Sequence, residues 1–300
     1  MTGSGSHLTE PVAHRFAASS GPICWYEWGD PAAPPILLLH ATGFHARCWD
    51  AVVAGLPAGY RVIAPDFRGH GNSYRPESLA DWQASARDMI ELVEALDLRD
   101  VTGVGHSMGG QCMVQLAAAM PVRFARLILI DPVIFPPNFY DDAPSADSVD
   151  PDSHMVARRR NSWESAGQME EHFADRHPYR LWQRRVLADY CHYGLLPAGD
   201  GEGLELACPP RLEASVYLGS CSFNPWPMVP GISCPVLVLR AQAALPDAPH
   251  DFANSPTPPD LAAHFQQGED RHLAHLTHFM PMQAPDLIAG IIAEQLAIKR

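Results

Sequence analysis

The sequence has few basic residues for its size. Lys and Arg number 21 against 34 Asp and Glu, which gives a formal net charge of −13 over 300 residues. A chain with this acidic excess repels phosphate backbones and does not condense onto them. We therefore expect no nucleic-acid partner.

Long hydrophobic runs are also missing. The longest apolar segments, at residues 35–39 and 126–130, have the length of strands, whereas a membrane helix needs about 20 apolar residues. Residues 1–8 contain neither a basic cluster nor an apolar stretch of the kind found in secretory signals. We expect a soluble, cytoplasmic protein that does not associate with membranes.

Cysteine pairs at metal-binding or redox spacing are absent as well. The seven cysteines are an odd number, lie scattered along the chain and include no Cys-x-x-Cys pair. This usage favours reduced thiols over a disulfide framework or a zinc ribbon. Neither a disulfide nor a structural metal is expected.

The first half of the chain alternates short β-rich segments with helical patterns. Strands are predicted at residues 12–17, 23–28, 36–40, 61–64, 101–105 and 127–131. The last four are continuous apolar runs, which is typical of a sheet covered on both faces. Helical patterns lie between them at residues 79–96 and 107–120. The alternation predicts an α/β fold with a mostly parallel central sheet and helices on both faces.

This alternation stops at Pro132. The following stretch is rich in Trp, Arg and Pro and has helical patterns, with no strand pattern, at residues 154–163, 165–175, 181–193 and 210–218. A buried strand returns at residues 235–240, followed by helices at 260–267 and 286–298. We therefore predict a core made of residues 1–134 and 231–300, interrupted by a helical cap at residues 135–230.

A turn of the form G-x-S-x-G follows the predicted strand at residues 101–105 and opens the next helix. It consists of Gly105, His106, Ser107, Met108 and Gly109. A nucleophile on a sharp strand-to-helix turn needs small neighbours two positions away on either side. The helix that begins there directs free N–H groups and its positive end towards developing negative charge. The alternative is a Gly-rich turn in which Ser107 only caps the helix.

Four segments in this order resemble the α/β-hydrolase family. They are residues 40–44 (HATGF) after the third strand, 66–73 (DFRGHGNS) after the fourth, 105–110 (GHSMGG), and 277–281 (THFMP) before the last helix. The resemblance covers nearly the whole chain. It implies the α/β-hydrolase fold with a helical cap insert.

By this resemblance Ser107 is the nucleophile and His278 is the general base. A serine hydroxyl is too weakly acidic to attack unless an imidazole accepts its proton. His272 and His275 precede His278 at intervals of three residues, which would align metal ligands on a helix. That stretch is predicted as strand and loop and has no second ligand cluster, so no metal is expected. His278 is preferred to His275 because Phe-x-Pro follows it, as in the family.

The resemblance places the oxyanion hole at two backbone N–H groups, those of Met108 and Thr42. Ala41 stands where the family commonly has Gly, which leaves the second donor less well defined. His40 is expected to have a hydrogen-bonding role in this turn.

The position of the triad acid is left open. The family usually places it a few residues after the strand before the last, where this sequence has Ala244. Three carboxylates remain as candidates: Asp131, Asp247 and Asp251. We favour Asp131, because one helix and one strand separate it from Ser107 and return the chain to the same edge of the sheet. Asp131 could instead only cap the turn before Pro132.

The substrate pocket is predicted between the cap and the core. Its candidate residues are Phe44, His106, Trp163, Trp182 and Trp226, although core packing is an alternative for the aromatic ones. Two arginine runs, at residues 158–160 and 184–185, are expected on exposed faces of cap helices.

The sequence thus predicts a cofactor-free serine hydrolase that cleaves a small to medium, largely apolar carboxylic ester. Hydrolysis of a carbon–carbon bond in a diketone, lactone hydrolysis and cofactor-free haloperoxidase chemistry are alternatives on the same residues. Epoxide hydrolases and haloalkane dehalogenases attack with Asp where this chain has Ser107. A non-catalytic ligand receptor is a rival of another class. No feature marks a dimer interface, so a homodimer stays open.

Overall fold

A central sheet organises the protein, whose computed structural model describes residues 10–143, 145–199, 201–244 and 251–298. The strands are β1 (Val12–Ala18), β2 (Gly21–Trp28), β3 (Pro35–Leu39), β4 (Arg61–Pro65), β5 (Val101–His106), β6 (Phe124–Ile130), β7 (Ser162–Trp163), β8 (Leu195–Pro197), β9 (Leu204–Leu206), β10 (Val236–Arg240) and β11 (Gly268–His272).

Eight of these strands form the main sheet in the order β1-β2-β4-β3-β5-β6-β10-β11. β1 pairs with β2 and β2 with β4 in antiparallel fashion, and the other neighbours are parallel. The predicted α/β fold with a mostly parallel sheet is therefore confirmed. The register aligns Ile130 with His106 on one side and with Leu239 on the other, so that β5, β6 and β10 end at one edge.

Helices cover both faces of the main sheet. The α-helices are α1 (Asp50–Val53), α2 (Trp82–Ala95), α3 (Met108–Ala119), α4 (Ala166–Phe173), α5 (Arg184–Tyr193), α6 (Pro210–Leu218), α7 (Met280–Gln283) and α8 (Pro285–Ala297). Buried side chains of α2 and α3, such as Met89 and Met113, form the core on one face. Val52 of α1 and Ile288 of α8 belong to the core on the other face. This double cover explains the continuous apolar strands.

Short 3₁₀ turns complete the described structure. They span Ala46–Trp49, Pro137–Tyr140, Ala146–Ser148, Pro151–Ser153, Met155–Arg158, Tyr179–Leu181, Trp226–Gly231 and Leu261–His264. The helix predicted at residues 260–267 is wrong, because only the turn Leu261–His264 forms there. Phe265, with φ −81° and ψ 150°, is extended and ends this turn.

The chain between β6 and β10, called the insert (residues 135–230), carries helices α4 to α6. It also contains a small antiparallel sheet in the order β7-β9-β8. The prediction of an insert without strands is therefore wrong, and the helix predicted at residues 154–163 is replaced by a 3₁₀ turn and β7. Strands of two or three residues are too short to show an alternating pattern.

The insert packs on the core through a buried apolar cluster. Phe44, Cys48 and Met282 of the core contribute to it together with insert residues such as Trp182 and Leu187. This cluster fixes the insert against the turn that follows β3. The cluster thus joins the insert to the segment after β3 and to Met282.

All seven cysteines are unpaired, and five of them are buried. Burial raises the pKa of the Cys24 thiol to about 11. In the described part of the chain, no helix combines the length and the hydropathy that crossing a membrane requires.

Candidate active site

Ser107 lies on the sharp turn between β5 and α3. Its backbone angles, φ 58° and ψ −119°, are rare for a residue with a side chain. Two hydrogen bonds hold this turn: the Ser107 N–H donates to the Ile130 carbonyl (3.0 Å), and the Ser107 carbonyl accepts from the Val133 N–H (3.1 Å). The surrounding structure therefore imposes a strained conformation that presents the hydroxyl at the sheet edge.

The two glycines of the G-x-S-x-G turn are needed because the backbone approaches them closely. A Cβ atom added to Gly105 would lie 2.3 Å from the Gly109 carbonyl oxygen. One added to Gly109 would lie 2.3 Å from the Leu39 carbonyl oxygen. These contacts give the steric reason for the spacing seen in the sequence.

Ser107, His278 and Asp131 form one hydrogen-bonded row. The His278 Nε2 atom is 2.9 Å from the Ser107 Oγ, and the His278 Nδ1 atom is 2.6 Å from the Asp131 Oδ2. All three are buried, with exposed fractions of 5% for Ser107, 8% for His278 and 0% for Asp131. With Nδ1–H donating to the carboxylate, Nε2 can accept the serine proton.

The other acids and histidines considered from the sequence lie elsewhere. The Asp251 carboxylate, 40% exposed, is 3.0 Å from His177 Nε2 and accepts the Ala253 N–H. Asp247 lies outside the described residues. His272 and His275 are exposed. Of the described candidates, only Asp131 meets His278.

The second carboxylate oxygen of Asp131 also has partners. Oδ1 accepts hydrogen bonds from the Ala241 N–H (3.0 Å) and from the Ser255 hydroxyl (2.5 Å). Ser255 was not among the site residues predicted from the sequence. No motif marks it, since its distance from Asp131 along the chain depends on the length of the loop after β10.

His106 supports the loop that carries His278. Its Nε2 atom is 2.8 Å from the His278 carbonyl oxygen, and the His278 N–H donates to the Ala253 carbonyl (2.8 Å). Burial, together with the nearby His278, lowers the pKa of His106 to about 3. The imidazole is therefore neutral and donates from Nε2. Its ring also lies 6.4 Å from the Phe44 ring, and its place in the substrate pocket stays a prediction.

The amide groups of Met108 and Thr42 lie on the turns after β5 and β3. Within the described ranges, neither N–H has a hydrogen-bond acceptor. Ala41 does not distort the second turn, because the positive φ of 75° falls at Gly43. The Gly43 N–H donates to His70 Nε2 (3.1 Å) and the Phe44 N–H to the Ala41 carbonyl (3.2 Å), so neither of these two is available in place of the Thr42 N–H.

His40 has the hydrogen-bonding position expected for it. Its Nδ1 atom is 2.8 Å from the Ala41 carbonyl oxygen, and its Nε2 accepts the Phe67 N–H (3.0 Å). Burial holds its pKa well below the usual value, so this histidine is neutral.

Three aromatic rings gather beside His278. Phe44 lies 5.5 Å from Trp182 and 6.2 Å from Phe279, and Trp182 lies 5.6 Å from Phe279 (ring centroids). Phe279 is also 5.6 Å from the His278 ring. Phe279 was not among the candidates from the sequence, although it belongs to the segment at residues 277–281 that carries the family resemblance.

Among the described residues, the Trp163 and Trp226 rings make their ring contacts elsewhere, although Trp163 belongs to the same buried cluster as Phe44 and Trp182. Trp163 packs against His172 and Phe173 within the insert. The Trp226 indole N–H donates to the Phe135 carbonyl, and its ring contacts His264. These contacts agree with core packing, the alternative given for both side chains, and their place in the substrate pocket stays a prediction.

Arg159 does not lie on an exposed face, contrary to the prediction. Its guanidinium pairs with the buried Glu213 carboxylate (2.5 Å) and donates to the hydroxyl groups of Tyr190 (3.1 Å) and Tyr179 (3.3 Å). Burial raises the pKa of Glu213, and Arg159 counteracts this effect. The insert thus carries a compensated ion pair near the core.

A small pocket lies between the turn after β3 and the insert. It is lined by Gly43, Phe44, His45, Tyr190, Gly194, Leu206, Ala207, Cys208 and Glu213. Among the described residues, no group of three His, Cys, Asp or Glu side chains could hold a metal ion.

Comparison with known proteins gives one family. A sequence model described as the alpha/beta hydrolase family matches residues 36–291. A non-heme chloroperoxidase of Streptomyces lividans is 39% identical over 113 residues, which are 37% of this chain and 41% of that protein. An uncharacterized protein of Mycobacterium tuberculosis is 41% identical over 99 residues, 33% of this chain and 29% of the relative. The matches thus span less than half of these relatives.

Among solved structures, an E-2-(acetamidomethylene)succinate hydrolase superposes with a TM-score of 0.77. The superposition covers 96% of this chain and 100% of the other, at 19% identity. At this identity the likeness is one of fold.

Proposed function

The chain belongs to the alpha/beta hydrolase family, and on this premise we propose that it is a serine hydrolase acting on a small to medium, largely apolar carboxylic ester. The observation that carries the proposal is the buried row in which His278 bridges the Ser107 hydroxyl and the Asp131 carboxylate. A serine becomes nucleophilic when a positioned imidazole takes its proton.

The proposed reaction has two stages. The Ser107 Oγ attacks the ester carbonyl carbon while its proton moves to His278 Nε2. The C–O bond to the alcohol then breaks, and the alcohol leaves with that proton, which gives the acyl-enzyme. Water next attacks the acyl carbon and gives a proton to Nε2, and the proton returns to the serine as the acid departs. Asp131 stabilises the imidazolium formed in each stage.

The Met108 and Thr42 amides are the proposed oxyanion hole. Both N–H groups are free in the described structure and lie on turns at the same sheet edge as Ser107. The helix that begins at Met108 adds its positive end to the same position. Donors of this kind stabilise the negative charge that the carbonyl oxygen acquires in the transition state.

The surroundings of the row support an uncharged, largely apolar substrate. Phe44, Trp182 and Phe279 offer aromatic surface beside His278. The Arg159 charge is compensated by Glu213, so that it does not stand as an unpaired cation for a substrate carboxylate. We further propose that residues 135–230 act as a cap that sets the preference for acyl length.

A panel of p-nitrophenyl esters and a fluorophosphonate probe test this function. Ser107→Ala should lower kcat by on the order of 10⁶ and abolish labelling, with an unchanged melting temperature. Ser85→Ala, which removes another buried serine hydroxyl, serves as the matched control and should keep both. Ester turnover of Ser107→Ala within tenfold of the parent contradicts the nucleophile. A parent protein that neither reacts with the probe nor turns over any ester supports a ligand receptor.

The chloroperoxidase relative favours a second candidate reaction. With a carboxylic acid as the acyl donor, Ser107 would form the acyl-enzyme with loss of water. Hydrogen peroxide would then attack the acyl carbon in place of water and release a peroxy acid, which would transfer an oxygen atom to a halide ion and return to the carboxylic acid. Halogenation measured with acetate, peroxide and bromide tests this candidate. It should disappear in Ser107→Ala, because the acyl-enzyme is required.

A further inference from the structure

A segment after β10 holds two members of the hydrogen-bonded row. This segment, Asp251–Thr257, is called the clamp segment. The Ala253 carbonyl accepts the His278 N–H (2.8 Å), and the Ser255 hydroxyl donates to Asp131 Oδ1 (2.5 Å). The Ser255 N–H is itself fixed by the Gln242 carbonyl (2.8 Å). The loop in which the acid was first sought thus contacts both the acid and the base.

We propose that Ser255 is a positioning residue of the hydrolase that acts through Asp131. The inference rests on the proposed function, because it gives Ser255 a role only if Asp131 and His278 serve Ser107. Nothing in the family resemblance points to Ser255. The role follows from where its hydroxyl lies.

The first argument is the geometry of the carboxylate. Asp131 is fully buried, and its Oδ2 is committed to His278 Nδ1. Its Oδ1 has two donors, the Ala241 backbone N–H and the Ser255 hydroxyl. Two donors on Oδ1 prevent rotation of the carboxylate plane and keep Oδ2 aimed at the imidazole. Of these two, only the Ser255 hydroxyl belongs to a side chain that mutation can remove.

The second argument is the direction of the Ser255 hydroxyl proton. The Ser255 Oγ accepts the Thr257 N–H (3.2 Å), which occupies one of its lone pairs. Its own proton is then left for Asp131 Oδ1. The hydroxyl is therefore oriented as a donor before any substrate binds.

The third argument concerns charge. A hydrogen bond donated to a carboxylate favours its ionised form. Removing the Ser255 donor therefore raises the proton affinity of the coupled Asp131 and His278 pair. Protonated His278 cannot act as a base, so the acidic limb of the pH–rate profile should move to higher pH. A role confined to holding the loop would not produce this shift.

Thr257 provides a matched control. Its hydroxyl donates to the Pro132 carbonyl (2.7 Å) and so ties the same segment to the same turn, without touching the carboxylate. Thr257→Val keeps the shape of the side chain and removes this bond. Both variants lose one hydroxyl bond of the clamp segment, and only Ser255→Ala loses the bond to the acid.

The experiment measures kcat/KM for p-nitrophenyl acetate against pH in the full-length protein. We expect Ser255→Ala to lose about 10- to 100-fold in kcat/KM, the size expected for a hydrogen bond to a charged group. Its acidic limb should move upward by about half a pH unit or more. Ser255→Thr should restore both quantities, and Thr257→Val should leave the acidic limb in place.

The outcomes separate this proposal from the proposed function. Parent-like rates and an unshifted acidic limb in Ser255→Ala overturn the positioning role. The proposed hydrolase function is still supported in that case if Ser107→Ala is inactive. Equal losses in Ser255→Ala and Thr257→Val also overturn it, since they indicate loop support alone. If Ser255→Ala does not fold, Ser255→Cys keeps the shape of the side chain with a weaker hydrogen-bond donor. It should shift the acidic limb of the pH–rate profile in the same direction. An unshifted acidic limb in Ser255→Cys overturns the proposal.

Discussion

Replacing Asp131 by Asn tests the proposed acid with little change in volume. The Asn side chain has one oxygen and one NH₂ group for the two positions of the carboxylate. The Oδ1 position faces two donors, from Ala241 and Ser255, whereas the Oδ2 position faces only His278 Nδ1. The oxygen should therefore take the Oδ1 position, which places the NH₂ group against His278.

This orientation predicts the size of the defect. An NH₂ group donates to Nδ1, so the imidazole must carry its proton on Nε2. Nε2 then has no lone pair to accept the proton of Ser107. In serine proteases the same change of tautomer lowers kcat by about 10⁴, which corresponds to about 5.5 kcal/mol of activation free energy. The fold should persist, because the two donors at Oδ1 remain satisfied.

The assay is the kcat of p-nitrophenyl butyrate hydrolysis in Asp131→Asn and Asp251→Asn, each checked for a native melting transition. Asp251 is the matched control, because its carboxylate is exposed and pairs with His177. It should lose less than about tenfold. The reasoning is refuted if Asp131→Asn keeps a rate within tenfold of the parent. It is equally refuted if Asp251→Asn loses three orders of magnitude.

Two further predictions concern the pocket and the response to pH. Trp182→Leu opens space beside Phe279 and should raise the ratio of kcat/KM for p-nitrophenyl octanoate to that for the butyrate by about tenfold. Trp226→Leu is the control and should leave this ratio unchanged. Equal shifts in both variants would contradict a local pocket effect. Burial lowers the pKa of His70 to about 4, below its unfolded value near 6.5. Between pH 6.5 and pH 4 the unfolded state therefore binds one proton more than the folded state at this residue. The free energy of unfolding should fall as the pH is lowered through this range. His70→Gln should lessen that loss by about 1.4 kcal/mol per pH unit in urea unfolding, and an unchanged slope would refute the assignment.

The sheet could be predicted from the sequence because its strands carry strong local signals. Continuous apolar runs indicated strands buried on both faces, and the glycine spacing around Ser107 indicated the turn. Both signals come from short-range sterics and burial, which act wherever the rest of the chain lies. The same reasoning placed Asp131 at the edge that β5 and β6 share, since parallel strands end on one side.

The insert could not be predicted to the same depth, since its structure depends on contacts distant in sequence. β7 pairs with β9 through residues about 40 positions apart in the sequence, and the pairing involves only two residues of each strand. Such short strands show no alternating pattern in the sequence. Trp182 and Trp226 both lie in the insert, yet of these two described side chains only Trp182 contacts the Phe44 ring. Arg159 turns inward because Glu213 of α6 and two tyrosine hydroxyl groups compensate its charge there. None of these partners is visible from the neighbouring residues.

The position of Asp131, the proposed acid, directly after β6 has a structural explanation. Ser107 and Asp131 both have positive φ angles, 58° and 45°, at the ends of neighbouring strands. Their turns brace each other, because Ser107 donates to Ile130 and accepts from Val133, on either side of Asp131. Strain of this kind persists only where surrounding contacts fix it. An acid on the loop after β10 would depend on that loop for its position. An acid directly after β6 is instead held by the same hydrogen bonds that fix the turn at Ser107. The loop after β10 can then be long, since it has only to return Ser255 and Ala253 to the row.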